Sequence, residues 1–170
     1  MPITASVRRP GPSRLRGVVA CALLLGMAGC GSEVSIEDRE VPAGEAAVCR
    51  ELLDDLPDTV AGAQRRSVSP DDALGAAWGD DPALVLECGT TMPASFDEFA
   101  SCTVADGTQW FVPDDAAMED LGADITVWSL GYEPVVQVRV PGVYRQRSDV
   151  VLKELGGPVT AELELVRPCS

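Results

Sequence analysis

Apolar residues recur with two different periods along this chain, and the places where the period changes mark its elements. In residues 44–57, Ala47, Val48, Cys49, Leu52, Leu53 and Leu56 follow helical spacing, while Arg50, Glu51, Asp54 and Asp55 take the opposite side. That pattern predicts a short amphipathic helix, stopped by Pro57, with Cys49 on or beside its buried stripe. Residues 60–68 read as a strand containing the adjacent Arg65 and Arg66. Ser69-Pro70-Asp71-Asp72 reads as a turn or helix start, and Ala76-Ala77-Trp78 leads into a break at Gly79-Asp80-Asp81-Pro82. Residues 83–88 are apolar enough for a central strand, and residues 89–100 read as a loop. The clearest local signal is Asp106-Gly107 between residues 101–105 and 108–112, a two-residue hairpin signature.

Residues 125–130 and 135–140 predict a second pair of strands, joined by Gly131-Tyr132-Glu133-Pro134. In the latter strand Val136, Val138 and Val140 share one face, Gln137 and Arg139 the other, and Pro141 stops it. A second helix is expected over residues 143–155, with Val151, Leu152 and Leu155 inward and Gly156-Gly157 at its C-terminal end. Residues 159–166 alternate apolar positions with Thr160, Glu162 and Glu164, which predicts a last edge strand. The fold class is therefore α+β: a single small domain over residues 45–170, with a mainly antiparallel sheet and two helices.

The first thirty residues follow a different logic. Arg8, Arg9, Arg14 and Arg16 form a basic n-region, and residues 17–29 are thirteen small or apolar positions. A membrane-spanning helix needs about 20 apolar residues, so this segment reads as a signal peptide over residues 1–29 rather than an anchor. Leu25-Gly26-Met27-Ala28-Gly29-Cys30 looks like a bacterial lipobox, in which the Cys becomes diacylglycerylated and N-terminal; Met27 replaces the usual Leu but keeps its apolar character. An earlier string ending at Cys21 has almost no apolar segment before it. Residues 30–44 then read as the lipidated Cys and an acidic tether without apolar periodicity. Such a tether reaches at most about 46 Å extended and averages roughly 20 Å as coil.

With Cys21 discarded and Cys30 lipidated, Cys49, Cys88, Cys102 and Cys169 remain. An even number of thiols outside the cytoplasm favours disulfides over metal or redox chemistry, and no Cys-x-x-Cys spacing is present. Four Cys allow three connectivities. Cys88–Cys102 is the favoured bridge, because these residues bracket a short excursion before the hairpin, and it leaves Cys49–Cys169.

Composition narrows the chemistry. The 170 residues hold 13 basic and 27 acidic side chains, net −14, and no His, which removes His triads, imidazole bases and His-containing metal sites. Four of the basic side chains and none of the acids lie in residues 1–29, so cleavage leaves 141 residues at net −18. Phosphate-backbone binding depends on Lys and Arg, so nucleic acid is not an expected partner. Asp54-Asp55, Asp71-Asp72, Asp80-Asp81, Asp114-Asp115 and Glu119-Asp120 could suit a carboxylate pair or Ca²⁺. They fall where turns and helix starts favour Asp, and no Asp-x-Asp-x-Asp-Gly loop is present. Lys153, the sole lysine, lacks Ser-x-x-Lys spacing, and no Gly-x-Ser-x-Gly or P-loop string occurs. The residues therefore name no catalytic group, metal or cofactor.

Several strings taken together resemble the domain-of-unknown-function 3515 family of actinobacterial lipoproteins. They are Cys49-x-x-Leu52 with Leu56-Pro57, Arg65-Arg66, Ala77-Trp78-Gly79-Asp80, Leu84-Val85-Leu86-x-Cys88-Gly89, Cys102 with Asp106-Gly107-x-x-Trp110, and residues 135–141. The chain departs at Glu87, where the family pattern carries an arginine. The resemblance implies a membrane-attached extracytoplasmic protein and supplies no activity. For binding, the residues themselves point to Arg65, Arg66 and Trp78, with Trp110. Adjacent arginines make a cationic spot able to grip carboxylate or phosphate, although strand alternation sends them to opposite faces. The competing reading of these residues is internal: salt bridges for the arginines and core anchoring for the tryptophans. The expected protein is a lipid-anchored module on the outer face of the cytoplasmic membrane. It would bind an envelope protein or a small ligand, and the alternative is an envelope hydrolase using paired carboxylates.

Overall fold

The computed structural model describes residues 1, 33–97, 99–113 and 120–169. The chain opens with β1 (Val34–Ser35) and α1 (Ala43–Asp55), then runs through β2 (Thr59–Val60), β3 (Ala63–Arg66), β4 (Val68–Ser69), β5 (Gly75–Trp78) and β6 (Leu84–Thr90). The hairpin β7 (Cys102–Ala105) and β8 (Thr108–Phe111) follows, then β9 (Ile125–Ser129), β10 (Tyr132–Glu133) and β11 (Val135–Val140). A 3-10 turn (Gly142–Arg147) leads into α2 (Ser148–Glu162), and β12 (Glu164–Leu165) ends the fold. Eight strands form one antiparallel sheet in the order β2-β3-β5-β6-β11-β9-β8-β7. With two α-helices and two disulfides among the described residues, this is a small α+β domain of the class its pattern predicts.

Register explains the layering. Trp78, Leu84 and Leu86, with Val136, Val138 and Val127, occupy paired inward positions, and all are fully buried. Cys49, Leu52 and Leu56 of the first helical segment and Val151, Leu155 and Val159 of α2 cover them. Each such aliphatic side chain contributes about 1.5–3 kcal/mol by leaving water. The Asp106-Gly107 turn carries positive φ at both residues (49° and 90°), as its hairpin requires.

Four local expectations are corrected. Residues 60–68 are not one strand but the β2–β3 hairpin, turning at Ala61-Gly62 with φ of 49° and 78°. That turn lacks the usual Asn or Asp and is instead clamped by α2 and the 3-10 turn before it. The Ala61 amide donates to Glu154 at 2.6 Å, and Arg147 donates to the Ala61 carbonyl. The second helix does not stop at Gly156-Gly157 but runs through Pro158 to Glu162. Gly156 lies against Thr108 of β8, where a Cβ would sit 2.5 Å from the Thr108 hydroxyl, and Thr160 one turn on meets that hydroxyl at 2.8 Å. The expected edge strand over 159–166 is thereby mostly helix, and only Glu164–Leu165 remains extended, pairing with β10.

The acidic tether is the third correction, because from Val34 it belongs to the fold. Strand β1 pairs parallel with β4, and Ile36 is buried against Ala77, Ala83 and Val85 on the face opposite the helices. Two glycines make the seats: a Cβ at Gly75 would lie 3.1 Å from Ile36, and one at Gly89 2.8 Å from Val41. Between them Arg39 pairs with Glu87 at 3.1 Å. Its few apolar residues act singly, each in its own seat, so no periodicity reveals them.

The disulfide pairing is the fourth. The bridges are Cys49–Cys88 and Cys102–Cys169. Cys88 points inward from β6 to the first helix, whereas Cys102 lies on the edge strand β7, four strand spacings or about 19 Å away, beyond disulfide reach.

The packing sets three expected outcomes. Non-reducing peptide mapping is expected to yield Cys49–Cys88 and Cys102–Cys169, with Cys88–Cys102 absent. Replacing Cys49 and Cys88 together by Ala is expected to lower the denaturant-measured stability by about 4 kcal/mol, given a separation of 39 residues. Gly156→Ala would gain helix propensity of roughly 1 kcal/mol yet meet the buried Thr108, so a net loss of about 1–2 kcal/mol is expected in thermal or urea unfolding.

Candidate functional site

Arg65 and Arg66 pair across to Trp78 and Ala77 of β5, so the two arginines do lie on opposite faces. Arg65 turns to the helix side. Its Nη1 donates to the Leu56 carbonyl at 3.1 Å and its Nη2 to Leu53 at 2.9 Å, and its guanidinium lies 5.9 Å from the Trp78 ring centroid. It thereby satisfies carbonyls at the C-terminal, electronegative end of α1. Trp78 is fully buried, with its indole donating to the Pro57 carbonyl at 2.9 Å. These two candidates are brought together, but as the fastening of α1 to the sheet. Trp110 is fully buried on the helix side of β8, and no described group accepts from its indole N–H.

Arg66 lies on the outer face, donates to the Gly79 carbonyl at 3.0 Å, and lines a groove of about 360 Å³. The register runs Arg66, Ala77, Val85, Arg139 across four strands, which sets the two arginines roughly 14 Å apart at the backbone over an apolar floor. Val34, at the start of the packed N-terminal strap of residues 34–41, joins Asp81, Pro82 and Asp124 in lining the groove. On the other side of the strap a smaller groove of about 170 Å³ takes in Arg39, Arg50 and Glu87. Glu87 is buried, accepts from Gln137 at 2.6 Å and forms an ion pair with Arg39 at 3.1 Å, and so spends its carboxylate on holding the strap.

A third hollow, about 300 Å³, lies at the opposite end of the sheet, where Phe96, Phe99 and Leu130 face Arg167 beside the Cys102–Cys169 bridge. Phe96 packs edge-on against Phe111 at 5.2 Å between centroids, while Phe99 is 90% exposed.

The acid pairs do not converge on these grooves as a set. Asp54, Asp55, Asp71, Asp72, Asp80 and Asp81 are all exposed, and Asp114, Asp115 and Glu119 lie outside the described residues, as do the signal segment and Cys30. Lys153 is exposed and stands 3.8 Å from Asp106. Among the described residues no three Cys, Asp or Glu side chains are grouped to hold a metal ion.

The sequence reading missed Arg39, inside a segment taken as tether, and Arg139, whose place opposite Arg66 emerges only from strand order. The alternation of β11 marked Arg139 as outward; nothing in the linear pattern joined it to Arg66.

A family model described as a protein of unknown function, DUF3515, matches residues 15–167. No curated protein and no solved structure matches the chain. Matched over nearly its whole length, and carrying the fold and bridges described above, the chain belongs to the DUF3515 family of proteins of unknown function.

Proposed function

We propose that this chain is a lipoprotein of the actinobacterial kind. In this reading it is cleaved before Cys30, anchored by a diacylglyceryl group to the outer face of the cytoplasmic membrane, and serves as a non-catalytic binding or interaction module of the envelope. The observation that carries the reading is the lipobox at residues 25–30 ahead of a domain whose four remaining cysteines all enter disulfides. Disulfides persist in oxidising compartments, and two acyl chains give stable anchoring where one is marginal. The grooves flanking the strap offer a mixed-charge surface to a small ligand or an envelope protein.

Cys30→Ala tests the anchor. The native chain is expected in the membrane fraction with the mass of residues 30–170 plus lipid. The variant is expected to retain its signal segment and to lack the diacylglyceryl mass. Identical processing and mass shift in both would defeat the proposal.

A further inference from the structure

We infer that one end of the sheet docks on the bilayer surface, with the strap fixing that orientation; the inference rests on the lipid attachment at Cys30 proposed above. Four Cα–Cα steps separate Cys30 from Val34, and they span at most about 14 Å. Val34 is held from the start: its amide donates to the Ser67 carbonyl at 3.0 Å, and that of Ile36 to Ser69 at 2.9 Å. Ile36 over Gly75, Arg39 on Glu87 and Val41 over Gly89 then secure the strap along the outer face. A lipid at Cys30 is therefore leashed to a fixed point on the rim of the larger groove.

The surface around that point suits a headgroup layer. Leu121 and Val143 are 68% and 72% exposed. They sit on one rim, because the Gly142 amide donates to Asp124 at 2.8 Å and Gly142 closes directly on the Gly122 carbonyl. Pro82 is exposed across the same groove, and Arg66 and Arg139 line it. Apolar side chains beside cationic ones are what an interfacial contact uses, the former entering the headgroup boundary and the latter meeting phosphates.

Glu33, Asp81 and Asp124 share the groove with these arginines, so its charge is close to balanced on a strongly acidic domain. The helix layer instead exposes Glu45, Glu51, Asp54, Asp55, Asp149 and Glu154 against only Arg50 and Lys153 on the helices themselves. An anionic surface meets the groove end at lower electrostatic cost than the helices.

Relaxation enhancement from gadolinium-chelating lipid headgroups tests the docking. It is read on backbone amides of the mature lipoprotein in nanodiscs of equal parts phosphatidylcholine and phosphatidylglycerol, with lutetium as the diamagnetic reference. The amides of Asp81, Ala83, residues 121–124 and residues 142–143 are expected to lose intensity first, while residues 92–104 and α2 keep theirs. Uniform loss, or loss centred on residues 92–104 or on α2, overturns the inference. Leu121→Glu with Val143→Glu, both at exposed positions, is expected to weaken the contrast and leave core amide shifts in place; an unaltered contrast overturns the assigned contact. Intact mass of the same sample separates the two readings. A chain without lipid refutes the anchoring and the docking together, whereas a lipidated chain with uniform loss refutes the docking alone.

Discussion

Strand β6 is buried over nearly its whole length, on both faces, and the layers of the molecule are arranged around that requirement. An antiparallel sheet commonly leaves one face to solvent, and its strands then alternate in polarity. Here Leu84, Leu86 and Cys88 face the helices, while Val85 and Glu87 face the other way and are equally enclosed. The helix layer answers the first set and the N-terminal strap the second. The Cys49–Cys88 bridge ties β6 to α1 on one side, and the Arg39–Glu87 pair ties it to the strap on the other. A carboxylate with so little exposure demands partners, since an ion taken from water unpaired costs several kcal/mol. Gln137 and Arg39 supply them, so the strap is needed by the sheet as much as the sheet is needed by the strap.

Small residues make that double cover feasible. The outer floor of the sheet is Ala77, Val85 and Gly75, low enough for one extended segment to lie close without a second sheet or a helix. On the inner side Gly156 plays the matching part, letting α2 approach β8 until the hydroxyls of Thr108 and Thr160 meet. Both contacts trade a side chain for proximity, and that loss of volume is recovered in the packing of Ile36 and of Val159.

Much of this was legible in the linear pattern because burial imposes periodicity where one face is apolar. Helix α1, the β7–β8 hairpin at Asp106-Gly107 and the β9–β11 pair all announce themselves through spacing and turn chemistry. What escaped was whatever depends on distant partners. Gly156-Gly157-Pro158 reads as a helix end, and only the fit against Thr108 shows why the helix continues. Residues 34–41 read as tether because Ile36 and Val41 find individual sockets rather than a shared stripe. The cysteine pairing required knowing that β6 and β7 are four places apart in the sheet, although they are neighbours in sequence. Of the binding candidates, Arg65 and Trp78 were singled out by residue type, and residue type does not distinguish a ligand contact from a helix cap. Arg66 lines a groove, and its companion Arg139 lies 73 residues further on and is brought to it by register.

The balance of forces at a membrane gives the strap a consequence that a free tether would not have. If the chain is cleaved before Cys30 as proposed, its net charge of −18 is repelled by anionic lipid, but only within about 8 Å at physiological ionic strength. On a leash tens of ångströms long, such a domain would spend most of its time beyond that range, and no face of it would be selected. With the first fixed residue at most about 14 Å from the proposed lipid, the domain stays within about two screening lengths of the surface, so its orientation becomes an energetic choice among its faces. In the proposed lipoprotein each buried methylene would contribute about 0.8 kcal/mol, so two acyl chains would outweigh the repulsion and hold the domain there. Within that constraint, the end carrying Arg66, Arg139, Leu121 and Val143 meets the surface at least cost. In the proposed arrangement the helix layer and the hollow at Phe96 and Phe99 would be directed away from the lipid and open to a partner.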